Sequence, residues 1–193
     1  MIIAFEGIDG SGKQTQIELL CAALEKAGKT CKVFKFPTSN ARKASSHLLG
    51  SAKISQAELF EDFSKDIESS TPLLQDATKK FNYVILDRYI YSTIAYQGGE
   101  IGFENALEKA KGLKLVKPDV VVFLKLDPNE ASLRKSAQKQ PDVFERDLEF
   151  QKSVALRYGL LAISGFFSGQ WMLVDASKSP VAIHGIIIKA VMK

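Results

Sequence analysis

Residues 5–16 read FEGIDGSGKQTQ and follow the apolar opening Met1 to Ala4. Gly7, Gly12 and Lys13 fit the spacing G-x-x-x-x-G-K, which carries chemical meaning where a strand precedes it and a helix follows. Both conditions are met, because Ile2 to Phe5 is an apolar run and Ile17, Leu20, Cys21 and Leu24 recur at helical spacing. Glycines let the backbone approach an anion closely and turn successive N–H groups toward it. The helix N-terminus adds a partial positive charge and Lys13 a full one. The expected ligand is a chain of phosphates, cradled by Gly7, Asp9, Gly10, Ser11, Gly12, Lys13, Gln14 and Thr15. The competing reading is a glycine-rich turn with a solvated lysine. Gln14 stands where this loop type usually carries a hydroxyl for Mg²⁺. Its amide oxygen can meet the metal directly or through water, and Thr15 can turn its hydroxyl inward. Gln14 is the expected ligand, since position 14 faces the metal in such loops.

A second constellation begins where the buried run Val84 to Leu86 ends in Asp87 and Arg88 and continues as YIYSTIAYQG. Ligands of α/β sheets collect at the C-terminal ends of strands. Arg88 can hold a phosphate through two parallel hydrogen bonds, which fixes direction as well as charge. An isolated Asp-Arg pair would read as a structural ion pair at a strand end. Two phosphate-directed sites in one chain point instead to phosphoryl transfer, in which catalysis is chiefly alignment and charge neutralisation.

GIDGSGK at residues 7–13 together with DRYIYSTIAYQ at 87–97 resembles the thymidylate kinases, P-loop enzymes that move the γ-phosphate of ATP onto dTMP. The likeness extends to Phe36-Pro37, LKLDPNEASLRK at 124–135 and VDAS at 174–177, all in family order. It implies an α/β fold, a three-layer αβα sandwich of the P-loop NTPase type with a five-stranded parallel sheet flanked by helices. The whole chain, residues 1–193, would be a single kinase domain with a mobile lid at about 134–146. ATP and dTMP are the implied substrates, Mg²⁺ the implied cofactor and a homodimer the implied assembly. Asp9 resembles the acid that meets the acceptor's 3′-hydroxyl, Arg88 the arginine on the acceptor phosphate and Asp87 the acid near the metal. Ser92, Tyr96 and Gln97 fall beside the acceptor, with Tyr96 placed to exclude a 2′-hydroxyl, and Ala176 and Ser177 fall beside adenine. Phe36, Pro37 and, on a loose alignment, Arg42 complete the acceptor side.

The pattern departs from the family in two places. The arginine that contacts the pyrimidine after a Leu-Phe pair is missing from ELFEDFSKDIE at 58–68. Phe63, Ser64 or Lys65 takes its place, so Phe60 or Phe63 is expected to stack on the base and Lys65 to replace the donor, although core packing explains either phenylalanine as well. The lid reads Asp142-Val143-Phe144-Glu145-Arg146, which leaves Arg134 as the expected transferring cation and Lys139 or Arg146 in reserve. A kinase for another nucleotide or deoxynucleoside, or a binder that has lost turnover, are the alternatives.

These groups need a scaffold. Ile2–Phe5, Cys31–Phe36, Tyr83–Leu86, Val120–Leu126 and Met172–Val174 are short runs mostly apolar on both faces, which suits strands buried on both sides of a parallel sheet. Helical spacing recurs in Phe150, Val154, Tyr158 and Leu161 and in Ile183, Ile187 and Val191. A long helical stretch from Ala57 to about Lys80 is interrupted by Ser69-Ser70-Thr71-Pro72, where proline suits a helix restart. The 193 residues fit one core. The net charge of +4 arises from 26 bases mixed among 22 acids without a long basic run, so small anions fit it better than nucleic acid. No apolar run is long enough to span a bilayer, and neither an export signal nor a membrane partner is expected. Cys21 and Cys31 match neither a disulfide framework nor metal spacing, so a reducing cytoplasm is expected. His47 and His184 have no partners at catalytic or metal spacing.

Overall fold

A computed structural model describes residues 1–41, 46, 54–136 and 148–192. Five strands run parallel: β1 (Ile2–Glu6), β2 (Cys31–Lys35), β3 (Tyr83–Asp87), β4 (Val120–Lys125) and β5 (Gln170–Asp175), in the spatial order β2-β3-β1-β4-β5. The helices between them are α1 (Lys13–Lys26), α2 (Gln56–Ser69), α3 (Thr71–Lys80), α4 (Ile90–Gln97), α5 (Phe103–Lys111), α6 (Pro128–Ser136), α7 (Leu148–Ser164) and α8 (Pro180–Val191). Crossovers between parallel strands are right-handed. The step from β1 to β2 runs one way along the sheet and every later step runs the other way, so α1 lies on one face and α2 to α7 on the opposite face. Packing agrees, since α1 meets α8 while α4 meets α2, α5 and α7. The result is the expected three-layer αβα sandwich.

β1 is the central strand, with Ile3 opposite Ile85 of β3 and Val120 of β4, and Phe5 opposite Asp87 and Val122. Ile3, Ala4 and Phe5 are fully buried, as are Ile85, Leu86, Val121, Val122 and Leu124 of the neighbouring strands. The outer strands differ from the expectation of burial on both faces. β2 and β5 form the sheet edges, and Val33 and Leu173 are 39% and 54% exposed. Apolar content reported that these runs are strands; their place in the sheet was not encoded locally.

Helix boundaries follow local chemistry. Ser55 and Glu58 make a reciprocal capping box at the start of α2, each side chain accepting the other's backbone N–H at 3.2 Å. Pro72 lies in the first turn of α3, two residues after the break at Ser70. The Ser179 hydroxyl accepts from Ala182 N at 3.3 Å and starts α8. Both α4 and α5 are absent from the sequence reading. α4 is buried all round, so it shows no amphipathic stripe.

Cys21 on α1 and Cys31 on β2 are free thiols. Burial pushes the Cys21 thiol up to about 12, and the neighbouring Cys31 thiol adds to the shift. Among the described residues no helix is long and apolar enough to cross a membrane, and no cluster of three or more His, Cys, Asp or Glu side chains could hold a metal by itself.

Leu20 anchors α1, the helix that carries Lys13, and is fully buried. Leu20→Ala is expected to cost about 3 kcal/mol of folding stability through lost transfer energy and a cavity. Leu156→Ala on α7, where the side chain is 66% exposed, should stay within about 0.5 kcal/mol of the parent. Urea unfolding midpoints of the two variants compare these directly.

Candidate active site

The loop between β1 and α1 is pressed against its surroundings. A Cβ on Gly7 would stand 2.6 Å from Leu124 O, and one on Gly10, whose φ is +80°, would stand 2.9 Å from Ala131 O of α6. Side chains are therefore excluded at both positions, and the backbone itself forms the wall. α1 begins at Gly12 with no side-chain cap, so its first N–H groups are not taken by a serine or aspartate. Lys13 is 8% exposed and folds back over the loop, its Nζ donating to Gly7 O at 2.9 Å and Ile8 O at 3.1 Å. Asp9 Oδ1 lies 3.9 Å from the same nitrogen. Burial lowers the Lys13 ammonium to about 8, and the charge of Arg88 acts in the same direction, against Asp9, Asp87 and Glu6.

Arg88 is the residue that follows β3, and its φ of 65° is uncommon for any residue but glycine. Its backbone N–H donates to Phe5 O at 3.1 Å. The guanidinium donates through Nη2 to Asp9 Oδ1 and through Nη1 to Ser92 Oγ at 3.3 Å, and lies 5.5 Å from the Tyr96 ring centroid. Burial disfavours its charge, but Asp9 above all, then Tyr96, Tyr158 and Glu6, outweigh that and raise its pKa well above the usual arginine value. Asp9 thus bridges the two cations, and Arg88 is ionised at every accessible pH.

Glu6, the last residue of β1, has no solvent exposure. Its Oε1 accepts from Tyr89 N at 2.7 Å, and its Oε2 accepts from Ser92 Oγ at 2.6 Å and Tyr158 Oη at 2.9 Å. Burial pushes its carboxyl up to about 7, against the opposing pull of Ser92, Arg88, Tyr158 and Lys13. Nothing in the sequence reading singled it out. The available signal was an acid closing an otherwise apolar central strand.

Two cavities meet at these charges. The larger, about 840 Å³, is walled by the loop and α1 from Gly10 to Gln16, with Asp87, Arg134, Ser177 and Pro180. The smaller, about 410 Å³, is walled by Phe36, Pro37, Phe63, Ser92, Tyr96 and Gln97. Asp9, Lys35 and Arg88 border both. Lys35 and Asp87 face each other in the register of β2 and β3, with Nζ 4.0 Å from Oδ2.

Most of the expected side chains therefore converge, and some do not. Phe60 is 3% exposed and belongs to the core, while Phe63, one turn further along α2, reaches the smaller cavity. Lys65 does not replace the missing arginine there: it is 76% exposed and lies 3.8 Å from Glu61 Oε2. Ser64 is buried, and its Oγ has no partner among the described residues. Asp66, which the sequence reading missed, borders the smaller cavity and holds the chain after β2 by accepting from Thr38 N at 2.7 Å and from the Thr38 hydroxyl. Gln97 is 1% exposed, and its Nε2 has no partner among the described residues. Gln14 donates from Nε2 to Glu18 Oε1 at 2.9 Å, which directs its amide nitrogen along the helix. Ala176 is fully buried, and its carbonyl rather than its methyl serves the site by accepting from Arg134 Nη2 at 2.9 Å. Arg134 also reaches Glu130 Oε1 at 2.6 Å. Arg42, His47, Lys139, Val143 and Arg146 lie outside the described residues.

The profile of a family described as thymidylate kinase matches residues 5–187. This chain belongs to the thymidylate kinase family. It is 33% identical to the thymidylate kinase of Caldanaerobacter subterraneus subsp. tengcongensis over 98% of this chain and 93% of that one. It is 32% identical to that of Mycobacterium tuberculosis over 93% and 94% of the two chains. The thymidylate kinase of Danio rerio is 27% identical over 95% of this chain and 85% of its own. The family match thus spans the glycine loop, Arg88 and the strand end at Asp175 in one alignment.

The electrostatics of this thymidylate kinase chain give a direct test. In lysine-labelled NMR spectra Lys13 should lose its proton near pH 8, well below the ordinary lysine value. Asp9→Asn removes a favourable partner and should move that titration lower still; an unchanged midpoint would separate Asp9 from Lys13.

Proposed function

We propose that this chain transfers the γ-phosphate of ATP to dTMP, giving dTDP and ADP. The observation that carries the reading is the shared border of the two cavities at Asp9 and Arg88, with a backbone phosphate cradle on one side only. ATP fits the larger cavity, its phosphates along Gly10 to Lys13 and its base beside Ser177. dTMP fits the smaller one, its phosphate on Arg88, its sugar beside Tyr96 and its base between the Phe36 and Phe63 side and Gln97. The acceptor phosphate oxygen attacks the γ-phosphorus as the bond to the β–γ bridging oxygen breaks, and Lys13, Arg88 and Arg134 offset the charge that moves. With no nucleophile to supply, the protein contributes alignment and fixed dipoles.

The donor set suits Mg²⁺. The ion is commonly held by one or two carboxylates together with substrate phosphates, and the Asp87 carboxylate and the Gln14 amide oxygen stand on the wall of the larger cavity. Held by Asp87 and Gln14, Mg²⁺ would supply positive charge against the phosphates and reduce their repulsion. The Gln97 amide nitrogen supports recognition of a base carbonyl in place of the missing arginine. A homodimer in the cytoplasm belongs to the same proposal, supported by exposed apolar side chains on α7 such as Ile163 and by free cysteines.

A coupled assay over monophosphates should rank dTMP first, dUMP next and dCMP last, because a 4-amino group presents a donor to the Gln97 N–H groups. Equal turnover of dCMP would assign a broader deoxynucleotide kinase, favoured by the missing arginine after the Leu59-Phe60 pair. Arg134→Ala should lower kcat about a hundredfold or more with dTMP KM little changed; near-parent turnover removes Arg134 from the transfer step.

A further inference from the structure

Glu6 is costly where it stands. A carboxylate in the middle strand of a sheet, without solvent exposure, is expensive to bury, and an apolar side chain would pack there without that penalty. It is not matched by a direct ion pair among the bridges of the described residues. Its partners are three hydrogen-bond donors, all adjoining Arg88. Tyr89 N–H is the next backbone donor after Arg88, and Ser92 Oγ is the group on which Arg88 Nη1 rests at 3.3 Å. Tyr158 Oη, from α7, touches both Glu6 Oε2 at 2.9 Å and Ser92 Oγ at 2.7 Å.

The backbone geometry gives this arrangement a purpose. Arg88 has a left-handed φ of 65°, a conformation that persists where neighbouring structure over-determines it. The N–H groups on the two sides of its Cα are each held by successive residues of β1: Arg88 N by Phe5 O at 3.1 Å, and Tyr89 N by Glu6 Oε1 at 2.7 Å. The same carboxylate takes the Ser92 hydroxyl proton, which leaves a Ser92 lone pair for Arg88 Nη1. Glu6 therefore acts on Arg88 at both ends, through the peptide and through the guanidinium. Asp9 cannot replace it, because Asp9 is an anion on the border of both cavities and is repelled as phosphates arrive there. The Ser92 arm is a neutral hydroxyl and carries no charge for the phosphates to repel.

We propose that Glu6 is a positioning residue for the phosphoryl acceptor: by clamping Tyr89 N–H and Ser92 it sets the orientation of Arg88 and so the affinity for the acceptor phosphate. The inference rests on Arg88 holding that phosphate.

Glu6→Gln keeps the shape but turns an NH₂ toward one of three donors. The expected result is a rise of about tenfold or more in the dTMP KM, with the ATP KM within about twofold and a thermal midpoint close to the parent. In the double variant with Ser92→Ala the dTMP KM should rise by less than the product of the two single effects, since both changes open the Ser92 link. Tyr158→Phe removes a hydroxyl that borders neither cavity and should raise the dTMP KM about threefold, which keeps the idea testable if Glu6→Gln does not fold. Arg88→Ala is the control. If it raises the dTMP KM while Glu6→Gln and Tyr158→Phe do not, the Glu6 role is wrong and the reading of Arg88 stands. If Arg88→Ala leaves the dTMP KM unchanged, both fall. Equal rises in the ATP and dTMP KM, or additive effects in the double variant, would show general loosening and overturn the proposal.

Discussion

Two cations are held close together at the C-terminal ends of the inner strands β1 and β3, and much of the site follows from how that is tolerated. Lys13 and Arg88 repel each other, and burial first and the Arg88 charge second lower the Lys13 pKa. Asp9 lies between them, 3.9 Å from Lys13 Nζ and hydrogen-bonded to Arg88, and Glu6 and Asp87 lower the potential further from behind. The strand order makes this geometry possible. β1 lies directly beside β3, so the loop that leaves β1 with Lys13 and the turn that leaves β3 with Arg88 emerge as neighbours. Had β1 and β3 been separated by one strand, about 5 Å would have been added between the two charges, and a single aspartate would not have spanned them.

The parts of this arrangement that were legible in the sequence are those set by local chemistry. Gly7, Gly12 and Lys13 had to be contiguous, because a cradle of backbone N–H groups is built from one loop. The restart at Pro72 was visible because proline acts on its own turn. What stayed hidden depends on pairing or on rotation. Val33 and Leu173 read as buried because an apolar strand looks alike at the centre and at the edge of a sheet, and sheet order arises from crossovers, not from composition. Phe60 and Phe63 differ by three residues, less than a full turn, and only the packing of α2 against α4 decides which ring faces the core. α4 itself was missed because it is buried on all sides; without a polar face there is no period to detect. Glu6 was passed over for a related reason, since its three donors come from distant places in the chain: Tyr89 at the entry to α4, Ser92 on α4 and Tyr158 on α7.

The two cavities also differ in what kind of group forms them, and this explains where the chain departs from its relatives. The larger is built around main-chain atoms, which any sequence supplies so long as Gly7 and Gly10 keep their neighbours clear. A change such as Gln14, whose amide nitrogen is satisfied by Glu18 one turn along at 2.9 Å, leaves that cradle intact. The smaller is built from side chains, so each replacement alters what can be read. With Ser64 buried and Lys65 turned to solvent, α2 presents the Phe63 ring to this cavity, while the polar side chains of Ser92 and Gln97 come from α4. α4 begins two residues after Arg88, so the Gln97 amide and the Ser92 hydroxyl that meets Arg88 sit on one short, fully buried helix. That helix is tied to β1 through Glu6 and to α7 through Tyr158. A shift of α4 would therefore move Gln97 and the Ser92 contact to Arg88 together, which preserves their spacing.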